Sequence, residues 1–172
     1  MAGVHFNIFH NHADRVQMTN IAQTVNVLQA MILTEGEKMI LTPTYHVFDM
    51  FKVHQDAEVL AVESAVGSYE MGGEALPQVT VSASRDAEGK VHVSLVNIDH
   101  AGEAEISLDL RGLAAESVQA SGTILTADRM NAHNTFEQPD AVAPKAFDGA
   151  NVEGGRLSVK LPPMSVVTLA IY

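Results

Sequence analysis

Residues 78–98 read Gln78-Val-Thr-Val-Ser-Ala-Ser-Arg-Asp-Ala-Glu-Gly-Lys-Val-His-Val-Ser-Leu-Val-Asn-Ile98. Apolar and polar side chains alternate in both halves of this stretch; the apolar ones are Val79, Val81 and Ala83, then Val91, Val93 and Leu95. Because successive side chains of a strand point to opposite faces, each half predicts a strand with one buried face. The run Asp86-Ala-Glu-Gly89 between them predicts a hairpin turn. The stretch therefore predicts two antiparallel strands whose apolar faces contribute to a core.

Short runs of the same character, separated by Gly, Pro and Asp, recur after residue 57. They cover residues 59–66, 104–110, 118–126, 156–161 and 165–172. About seven strands with regular turn signals are typical of a sandwich of two antiparallel sheets. Residues 131–155 are rich in Pro, Asp and Asn and predict a long loop. The predicted fold class is therefore mainly β, with an antiparallel β-sandwich over residues 58–172.

The first 57 residues follow a different pattern. Val4 and Ile8 lie four residues apart among other apolar side chains, which predicts a helix that ends near residues 11–14. Residues 15–22 are long enough for a buried strand, which we predict there. A helix end followed by a buried strand forms part of an α/β unit, whose first strand we expect upstream of this chain. Residues 55–58 are the brief linker to the sandwich.

A second helix is predicted after a loop. Residues 27–34 form an apolar run too short to indicate a helix or a strand, so we expect an extended loop there, followed by a turn around Gly36. Thr42 can cap a helix, and Pro43 suits the first helical position. Apolar side chains then recur at helical spacing down to about His54, which predicts an amphipathic helix.

Two amides, Gln23 and Asn26, follow the predicted strand. A neutral amide can hydrogen-bond a polar ligand through its donor and its acceptor without carrying charge. The same side chains can instead cap or satisfy nearby backbone groups. The residues alone leave both interpretations open.

Composition excludes several classes of protein. With 172 residues and 47% hydrophobic content, the chain can form one domain, or one domain plus a fragment of another, and is not disordered. The absence of cysteine excludes disulfides and thiolate metal sites. A net charge of -11 argues against nucleic acid or an anionic membrane as partner, since both require a basic face. No apolar run approaches the roughly 18 residues of a spanning helix, and a signal peptide's basic start is absent.

The histidines do not predict a metal site. His10 and His12, with Asp14 nearby, are two residues apart, and such side chains project to different sides of a helix. We therefore expect polar residues at a joint rather than ligands. His46 and His54 lie eight apart on one side of the second predicted helix, and we expect them at the surface or at an interface.

The acidic residues do not predict a catalytic pair either. Glycoside hydrolysis generally needs two carboxylates at a fixed separation. Glu35 and Glu37 flank a turn glycine, and Glu103 and Glu105 lie at a strand edge, so both pairs are expected to be solvated charge. A Gly-x-Ser-x-Gly motif, a phosphate-binding glycine loop and a cysteine nucleophile are all absent from the sequence.

Several separated motifs resemble one family. They are His12-Ala-Asp-Arg-Val-Gln-Met-Thr-Asn-Ile-Ala-Gln-Thr-Val-Asn26, Leu41-Thr-Pro-Thr-Tyr-His-Val-Phe-Asp-Met-Phe51, Asn134-Thr-Phe-Glu-Gln-Pro-Asp-Ala-Val-Ala-Pro-Lys145 and Leu161-Pro-Pro-Met-Ser-Val-Val-Thr-Leu169. In this order they resemble the carboxyl-terminal part of the α-L-arabinofuranosidases of glycoside hydrolase family 51. The resemblance runs through essentially the whole chain.

The resemblance implies a fold and an activity. In that family a (β/α)8 barrel carries the active site, and a jelly-roll-type β-sandwich packs against it. Residues 1–57 would then be the end of the seventh barrel helix, the eighth strand, its loop and the eighth helix, followed by the sandwich at residues 58–172. Family members hydrolyse terminal non-reducing α-L-arabinofuranosyl residues by a retaining mechanism that uses two glutamates on earlier barrel strands. We therefore expect no catalytic residue in this chain.

The resemblance also implies a ligand. Gln23 matches the substrate-binding glutamine of the family motif Ala-Gln-x-Val-Asn, at the carboxyl end of the eighth strand. Asn26 is a second substrate-binding candidate, or a support for the same loop. The expected partner is an arabinofuranosyl-containing saccharide, with no cofactor or metal. We expect a homo-oligomer and favour a cytoplasmic location over a secreted or periplasmic one.

The alternative is a non-catalytic β-sandwich that binds carbohydrate or joins subunits, with the first 56 residues as an attached arm. Three tyrosines and no tryptophan argue against a stacking platform for sugars. If residues 1–56 are a barrel fragment, we expect them to be poorly packed, or covered by another copy of the chain, because the barrel neighbours are missing.

Overall fold

The computed structural model describes residues 1–110, 119–153 and 156–172. The helical elements are α1 (Ala2–Asn11) and α2 (Pro43–Phe51), the latter continued by a 3-10 turn (Lys52–His54). The strands are β1 (Ile32–Glu35), β2 (Lys38–Leu41), β3 (Glu58–Leu60), β4 (Ser68–Met71), β5 (Glu74–Pro77), β6 (Val79–Arg85), β7 (Val91–Asn97), β8 (Ala104–Asp109), β9 (Ala120–Leu125), β10 (Lys145–Phe147), β11 (Ala150–Glu153), β12 (Arg156–Leu161) and β13 (Ser165–Ile171). None of the described helices is long and apolar enough to cross a membrane.

Two antiparallel sheets form the sandwich. The larger has the strand order β10-β9-β13-β7-β6-β3, and the smaller has the order β11-β12-β8. The core between them contains the buried apolar side chains of both sheets, including Val81, Leu95, Leu157 and Leu169. The predicted sandwich and its mainly β class are confirmed.

The predicted hairpin of residues 78–98 is also confirmed. Strands β6 and β7 pair along their whole length, from Val79 opposite Asn97 to Arg85 opposite Val91. Gly89 closes the turn, where its N–H donates to the Asp86 carbonyl at 3.0 Å. Its φ of 84° lies in the left-handed region that favours glycine. Local alternation and turn chemistry were sufficient to predict this pair.

The other face of the larger sheet is polar, yet it is buried. Ser82 on β6 and Ser94 on β7 have 0% exposed surface. Helix α1 lies on these strands, and Gly3 allows the close approach, since an added Cβ there would lie 2.9 Å from Val96 Cγ2. Hydroxyl side chains that alternation alone would assign to solvent are therefore covered by a helix.

Side-chain amides of α1 form hydrogen bonds with the polar groups on this face of the sheet. Asn7, which is 1% exposed, donates from Nδ2 to Thr80 Oγ1 at 3.0 Å and accepts from Ser82 Oγ at 2.8 Å. One turn later, Asn11 Nδ2 donates to the Val81 carbonyl at 2.9 Å. The spacing of four residues places both amides on the same side of the helix. These three hydrogen bonds define how α1 lies on the sheet.

Helix α2 is attached through apolar contacts. The predicted cap is present, since the Thr42 hydroxyl accepts from the Tyr45 N–H. Buried Phe51 stacks on Phe6 of α1 with ring centroids 5.2 Å apart, and both belong to a second apolar cluster with Val96 of the sheet. The expectation that residues 1–56 are poorly packed is wrong for both helices, because the outer face of the sandwich covers them.

The predicted strand at residues 15–22 is wrong, and the expected barrel remnant is not evident. These residues are irregular, and Met18 is 77% exposed. A buried strand needs neighbouring strands for its backbone groups, and none of the described strands pairs with this segment. The last three residues of the expected extended loop at 27–34 instead belong to β1, which forms a hairpin with β2; the turn of this hairpin contains Gly36 as predicted.

Short strands account for the remaining differences. The predicted run 59–66 contains only β3, and the hairpin of β4 and β5 was not predicted. The predicted long loop at 131–155 contains β10 and β11, which pair with β9 and β12. These strands have only three or four residues, too few for alternation to distinguish them from loops. Residue 118 of the predicted strand 118–126 lies outside the described residues.

Replacing Asn7 tests whether the polar face holds α1. Asn7→Ala leaves the Thr80 and Ser82 hydroxyls without their helix partner, which outweighs the better helix propensity of alanine, for a net loss of about 1–2 kcal/mol of unfolding free energy. Urea unfolding followed by circular dichroism would measure this. Ile8→Ala, one residue along the same helix at a half-exposed position, is the control. Equal stability of the two variants would contradict the assignment.

Candidate functional site

Gln23 lies in the irregular segment between α1 and β1. Its side chain is exposed and has no hydrogen-bond partner among the described residues. An exposed amide keeps its donor and acceptor available for a polar ligand. Because the predicted strand is absent, Gln23 follows an irregular segment rather than a strand end.

Asn26, the second candidate, uses its amide within the chain. Its Nδ2 donates to Thr34 Oγ1 at 2.8 Å, and its Oδ1 accepts from the Thr34 N–H at 2.8 Å. The backbone of Asn26 has a φ of 54°, in the left-handed region that asparagine tolerates better than most residues. The arrangement corresponds to the loop-supporting alternative for Asn26.

Backbone hydrogen bonds hold the same loop against β1. The Thr24 carbonyl accepts from the N–H groups of Met31 and Ile32, at 3.0 and 3.1 Å. The Asn26 N–H donates to the Ile32 carbonyl at 3.1 Å. The loop after Gln23 therefore has a defined shape although most of its side chains are exposed.

The loop is also tied to α2. The Thr42 hydroxyl that caps this helix donates to the Ala30 carbonyl at 2.7 Å, and the Thr42 N–H donates to the Met31 carbonyl at 2.9 Å. Since α2 packs on the sandwich, the position of the Gln23 loop depends on the position of the sandwich.

The acidic pairs lie at the surface, as expected. Glu35 and Glu37 are exposed at the tip of the hairpin of β1 and β2. Glu103 forms an ion pair with Lys160 at 2.9 Å, and Glu105 lies opposite Lys160 in the strand register. The Glu103 carboxylate raises the pKa of the Lys160 ammonium. Paired surface charge of this kind contributes little to stability and does not suggest a catalytic pair.

A row of three histidines lies where the helices meet the polar face of the sheet. The His10 and His54 ring centroids are 4.6 Å apart, and those of His54 and His92 are 6.4 Å apart. Both ring nitrogens of His54 have hydroxyl partners, with Nδ1 2.7 Å from Ser84 Oγ and Nε2 2.6 Å from Ser94 Oγ.

The two ends of this row have different partners. His10 Nδ1 lies 3.2 Å from Ser82 Oγ, and His92 Nε2 lies 2.8 Å from Asp86 Oδ2. Of the two positions expected for His54, the surface one is wrong, because the ring lies at the interface between the helices and the sheet.

Burial keeps His54 neutral. Burial, together with the smaller effects of the neighbouring His10 and His92, lowers the pKa of His54 to about 3. Burial also lowers the pKa of His10. A neutral imidazole provides one donor and one acceptor, which matches the two serine hydroxyls around His54. The row is thus a hydrogen-bonded joint between elements, not a set of free bases.

The remaining histidine candidates do not converge on a ligand. Among the described residues, no group of three or more His, Asp or Glu side chains could hold a metal ion. His46, expected at the surface or at an interface, is only 9% exposed, and its Nε2 is buried without a hydrogen-bond partner in the described part of the chain. Burial lowers the pKa of His46 against the opposing effects of Asp49 and Asp140.

Comparison with known proteins gives the family. A family model described as the α-L-arabinofuranosidase C-terminal domain matches residues 1–165. The chain belongs to this family. The family resemblance that the sequence motifs indicated is thereby confirmed over residues 1–165 of this arabinofuranosidase C-terminal domain.

Its relatives are much longer proteins. The domain is 41% identical over 172 residues to an intracellular exo-α-L-arabinofuranosidase from Bacteroides ovatus, covering 99% of this chain and 33% of that protein. It is 31% identical over 156 residues to an intracellular exo-α-(1->5)-L-arabinofuranosidase from Streptomyces lividans, covering 90% of this chain and 23% of that protein. The chain therefore spans about a third of the first relative and less of the second.

A solved structure has the same fold. The crystal structure of the family 51 arabinofuranosidase from Xanthomonas axonopodis pv. citri superimposes with a TM-score of 0.95 at 47% identity, covering 99% of this chain and 34% of that one. The superimposed part covers almost the whole chain, so it contains the helices and strands and also the irregular segment that carries Gln23.

Acid should lower the stability of this domain, because His54 binds a proton more readily in the unfolded chain than in the folded one. Its pKa is about 3 in the folded chain and about 6.5 when unfolded, so the unfolded chain binds more protons between these values. Stability therefore falls as the pH falls through that window, by up to about 2 kcal/mol between pH 7 and 5.

Replacing His54 isolates this effect from other titrating groups. His54→Gln keeps a donor and an acceptor but does not titrate, so its stability should change less between pH 7 and pH 5 than that of the unsubstituted chain. Urea unfolding at both pH values measures the difference. The same pH dependence in both proteins would rule out the assignment to His54.

Proposed function

We propose that this chain is the carboxyl-terminal portion of an α-L-arabinofuranosidase that releases terminal non-reducing α-L-arabinofuranosyl residues from arabinose-containing polysaccharides and oligosaccharides. The observation that carries the proposal is the family match over residues 1–165, together with relatives named as exo-acting arabinofuranosidases. Hydrolysis with retention uses a glutamate nucleophile and a glutamate acid/base, which lie outside this chain in the proposal.

Within that enzyme, Gln23 binds the sugar. Its exposed amide can donate to one hydroxyl oxygen and accept from another hydroxyl, as an uncharged arabinofuranosyl unit requires. The hydrogen bonds of Thr24 and Asn26 hold the adjoining loop, so the amide is presented from a defined backbone. In this proposal Gln23 orients the substrate, and the two glutamates perform the chemistry.

The two parts of the chain then have different tasks. Residues 1–57 complete the catalytic domain, and residues 58–172 form the sandwich that braces it. Large apolar side chains exposed in the first part fit its proposed place against the catalytic domain, since Met18, Leu28 and Met39 are 77%, 96% and 61% exposed. Apolar surface of this kind commonly marks a face that another part of a protein covers. The upstream part of the enzyme would cover it.

Location and assembly follow from the same proposal. The relatives from Bacteroides ovatus and Streptomyces lividans are named as intracellular, which favours a cytoplasmic enzyme. A homo-oligomer is proposed from the family resemblance. No cofactor is needed, because two carboxylates suffice for retaining glycoside hydrolysis.

The alternative of a carbohydrate-binding module gains no support from the tyrosines. Tyr45 lies on α2 against His46, Tyr69 lies on β4 beside His100, and the ring of Tyr172 lies under Lys90. A stacking platform needs aromatic faces presented together to a sugar. These rings belong to separate elements, and each has its own contact within the chain.

Activity measurements test the proposed function. The 172-residue chain should not hydrolyse 4-nitrophenyl α-L-arabinofuranoside, whereas the full-length polypeptide that contains it should, because the glutamates lie in the added part. In the full-length enzyme, Gln23→Ala should lower kcat/KM by about 10- to 100-fold through loss of its hydrogen bonds to the sugar.

Gln29→Ala is the matched control for that substitution, since it removes another exposed amide from the same loop. It should leave kcat/KM close to that of the unsubstituted enzyme. Clear turnover by the 172-residue chain would refute the proposed division of the enzyme, and unchanged kinetics of Gln23→Ala would refute the role of Gln23.

A further inference from the structure

The loop after Gln23 contains an unusual backbone conformation that needs support. Asn26 has a φ of 54° and Gln29 a φ of 57°, so two side-chain-bearing residues adopt the left-handed region within four positions. This region is disfavoured for L-residues and persists where surrounding contacts hold it. The loop therefore requires specific contacts to keep its shape.

Asn26 and Thr34 supply such a contact, which we call the Asn26–Thr34 clasp. The amide of Asn26 donates to the Thr34 hydroxyl and accepts from the Thr34 backbone N–H, both at 2.8 Å. Both residues are exposed, so the clasp is not a by-product of core packing. It joins the loop to β1 only three residues after Gln23.

The far end of the loop is held separately. The Thr42 hydroxyl bonds the Ala30 carbonyl, and α2 holds Thr42 on the sandwich. Without the clasp, the loop would remain attached at Ala30 and through the backbone hydrogen bonds of Thr24, while its beginning, next to Gln23, lost its side-chain tie. The clasp is thus placed where it can influence the orientation of Gln23 without holding the fold together.

We propose that Thr34, acting through Asn26, is a positioning residue for the substrate-binding amide of Gln23. This inference rests on the proposed function. Asn26 itself does not touch the sugar; its amide holds the loop. Misplacing a substrate-orienting group by about 1 Å can lower a rate by about 100-fold, so a surface threonine with no substrate contact can affect catalysis.

Substitutions at Thr34 separate the hydroxyl from the shape of the side chain. In the full-length enzyme, Thr34→Val removes the hydroxyl at nearly constant volume and should raise KM and lower kcat/KM about 10-fold toward 4-nitrophenyl α-L-arabinofuranoside. Thr34→Ser keeps the hydroxyl and should retain activity close to the unsubstituted enzyme. Equal losses in both variants would overturn the proposal, since the hydroxyl would not be the determinant.

Substitutions at Asn26 distinguish the effect of losing the clasp on kcat/KM from the effect of a more flexible backbone. Asn26→Gly permits the positive φ but removes the amide, and should lower kcat/KM at least as much as Thr34→Val. Gln29→Gly is the matched control, because it introduces the same flexibility at a second positive φ in the loop, where the side chain has no hydrogen bond within the described residues. Equal effects of the two glycine substitutions would assign the loss to flexibility and overturn the clasp.

A double-mutant cycle shows whether the effect passes through Gln23. If Thr34 acts by positioning that amide, Thr34→Val should cause little further loss of kcat/KM once Gln23→Ala is present. Fully additive losses would overturn the inference and leave the proposed role of Gln23 intact. An unchanged kcat/KM for Gln23→Ala alone would instead overturn the role of Gln23, and the positioning role with it.

Hydrogen exchange on the 172-residue chain provides a readout independent of activity. The Thr34 N–H should exchange at least about 10-fold faster in Asn26→Gly than in Gln29→Gly, because Asn26 Oδ1 is its acceptor. The urea unfolding midpoint of both variants should stay close to that of the unsubstituted chain, which separates a loosened loop from an unfolded domain. Equal exchange at Thr34 in the two variants would overturn the clasp.

Discussion

The buried hydroxyl groups on the outer face of the larger sheet impose the constraint on which the rest of this structure depends. Ser82 and Ser94 have no exposed surface, and a buried hydroxyl is costly unless it is hydrogen-bonded. Partners come from outside the sheet, with Asn7 on α1 bonding Ser82 and His54 in the 3-10 turn bonding Ser94. The need to satisfy these groups places α1 and the 3-10 turn that follows α2 on the sandwich. Polar contacts thus attach the amino-terminal segment to the sandwich.

The same constraint explains why histidines lie at this joint. A neutral imidazole can donate with one nitrogen and accept with the other, and His54 meets Ser84 and Ser94 in this way. Protonation would replace the acceptor with a donor and place charge in a buried site beside His10 and His92. The joint therefore combines tight attachment near neutral pH with sensitivity to acid.

The position of the Gln23 loop depends on this attachment. Helix α2 packs on the sheet through Phe51, its cap residue Thr42 bonds the loop, and the Asn26–Thr34 clasp joins the loop to β1. The sandwich thus supports one wall of the proposed active site. This connection gives the non-catalytic domain a specific mechanical role in the proposed enzyme.

The sequence by itself determined the features that depend on neighbouring residues. Alternation and a glycine turn predicted the hairpin of β6 and β7, and Thr42-Pro43 predicted the start of α2. Motifs of contiguous residues indicated the family and selected Gln23 as the candidate site residue. In each case the signal lies within a short stretch of chain, where local geometry limits the possible structures.

Only the tertiary structure decided which surfaces meet. Serines on β6 and β7 read as solvent-facing positions, yet a helix covers them, and Asn7 reaches Ser82 across 75 residues of sequence. Residues 15–22, where apolar side chains are interleaved with polar ones, read as a buried strand, yet the described residues supply no strand to pair with them. The Asn26–Thr34 clasp also required the backbone path of the loop. Burial and pairing depend on distant partners, and a local pattern specifies which groups need partners without specifying which groups provide them.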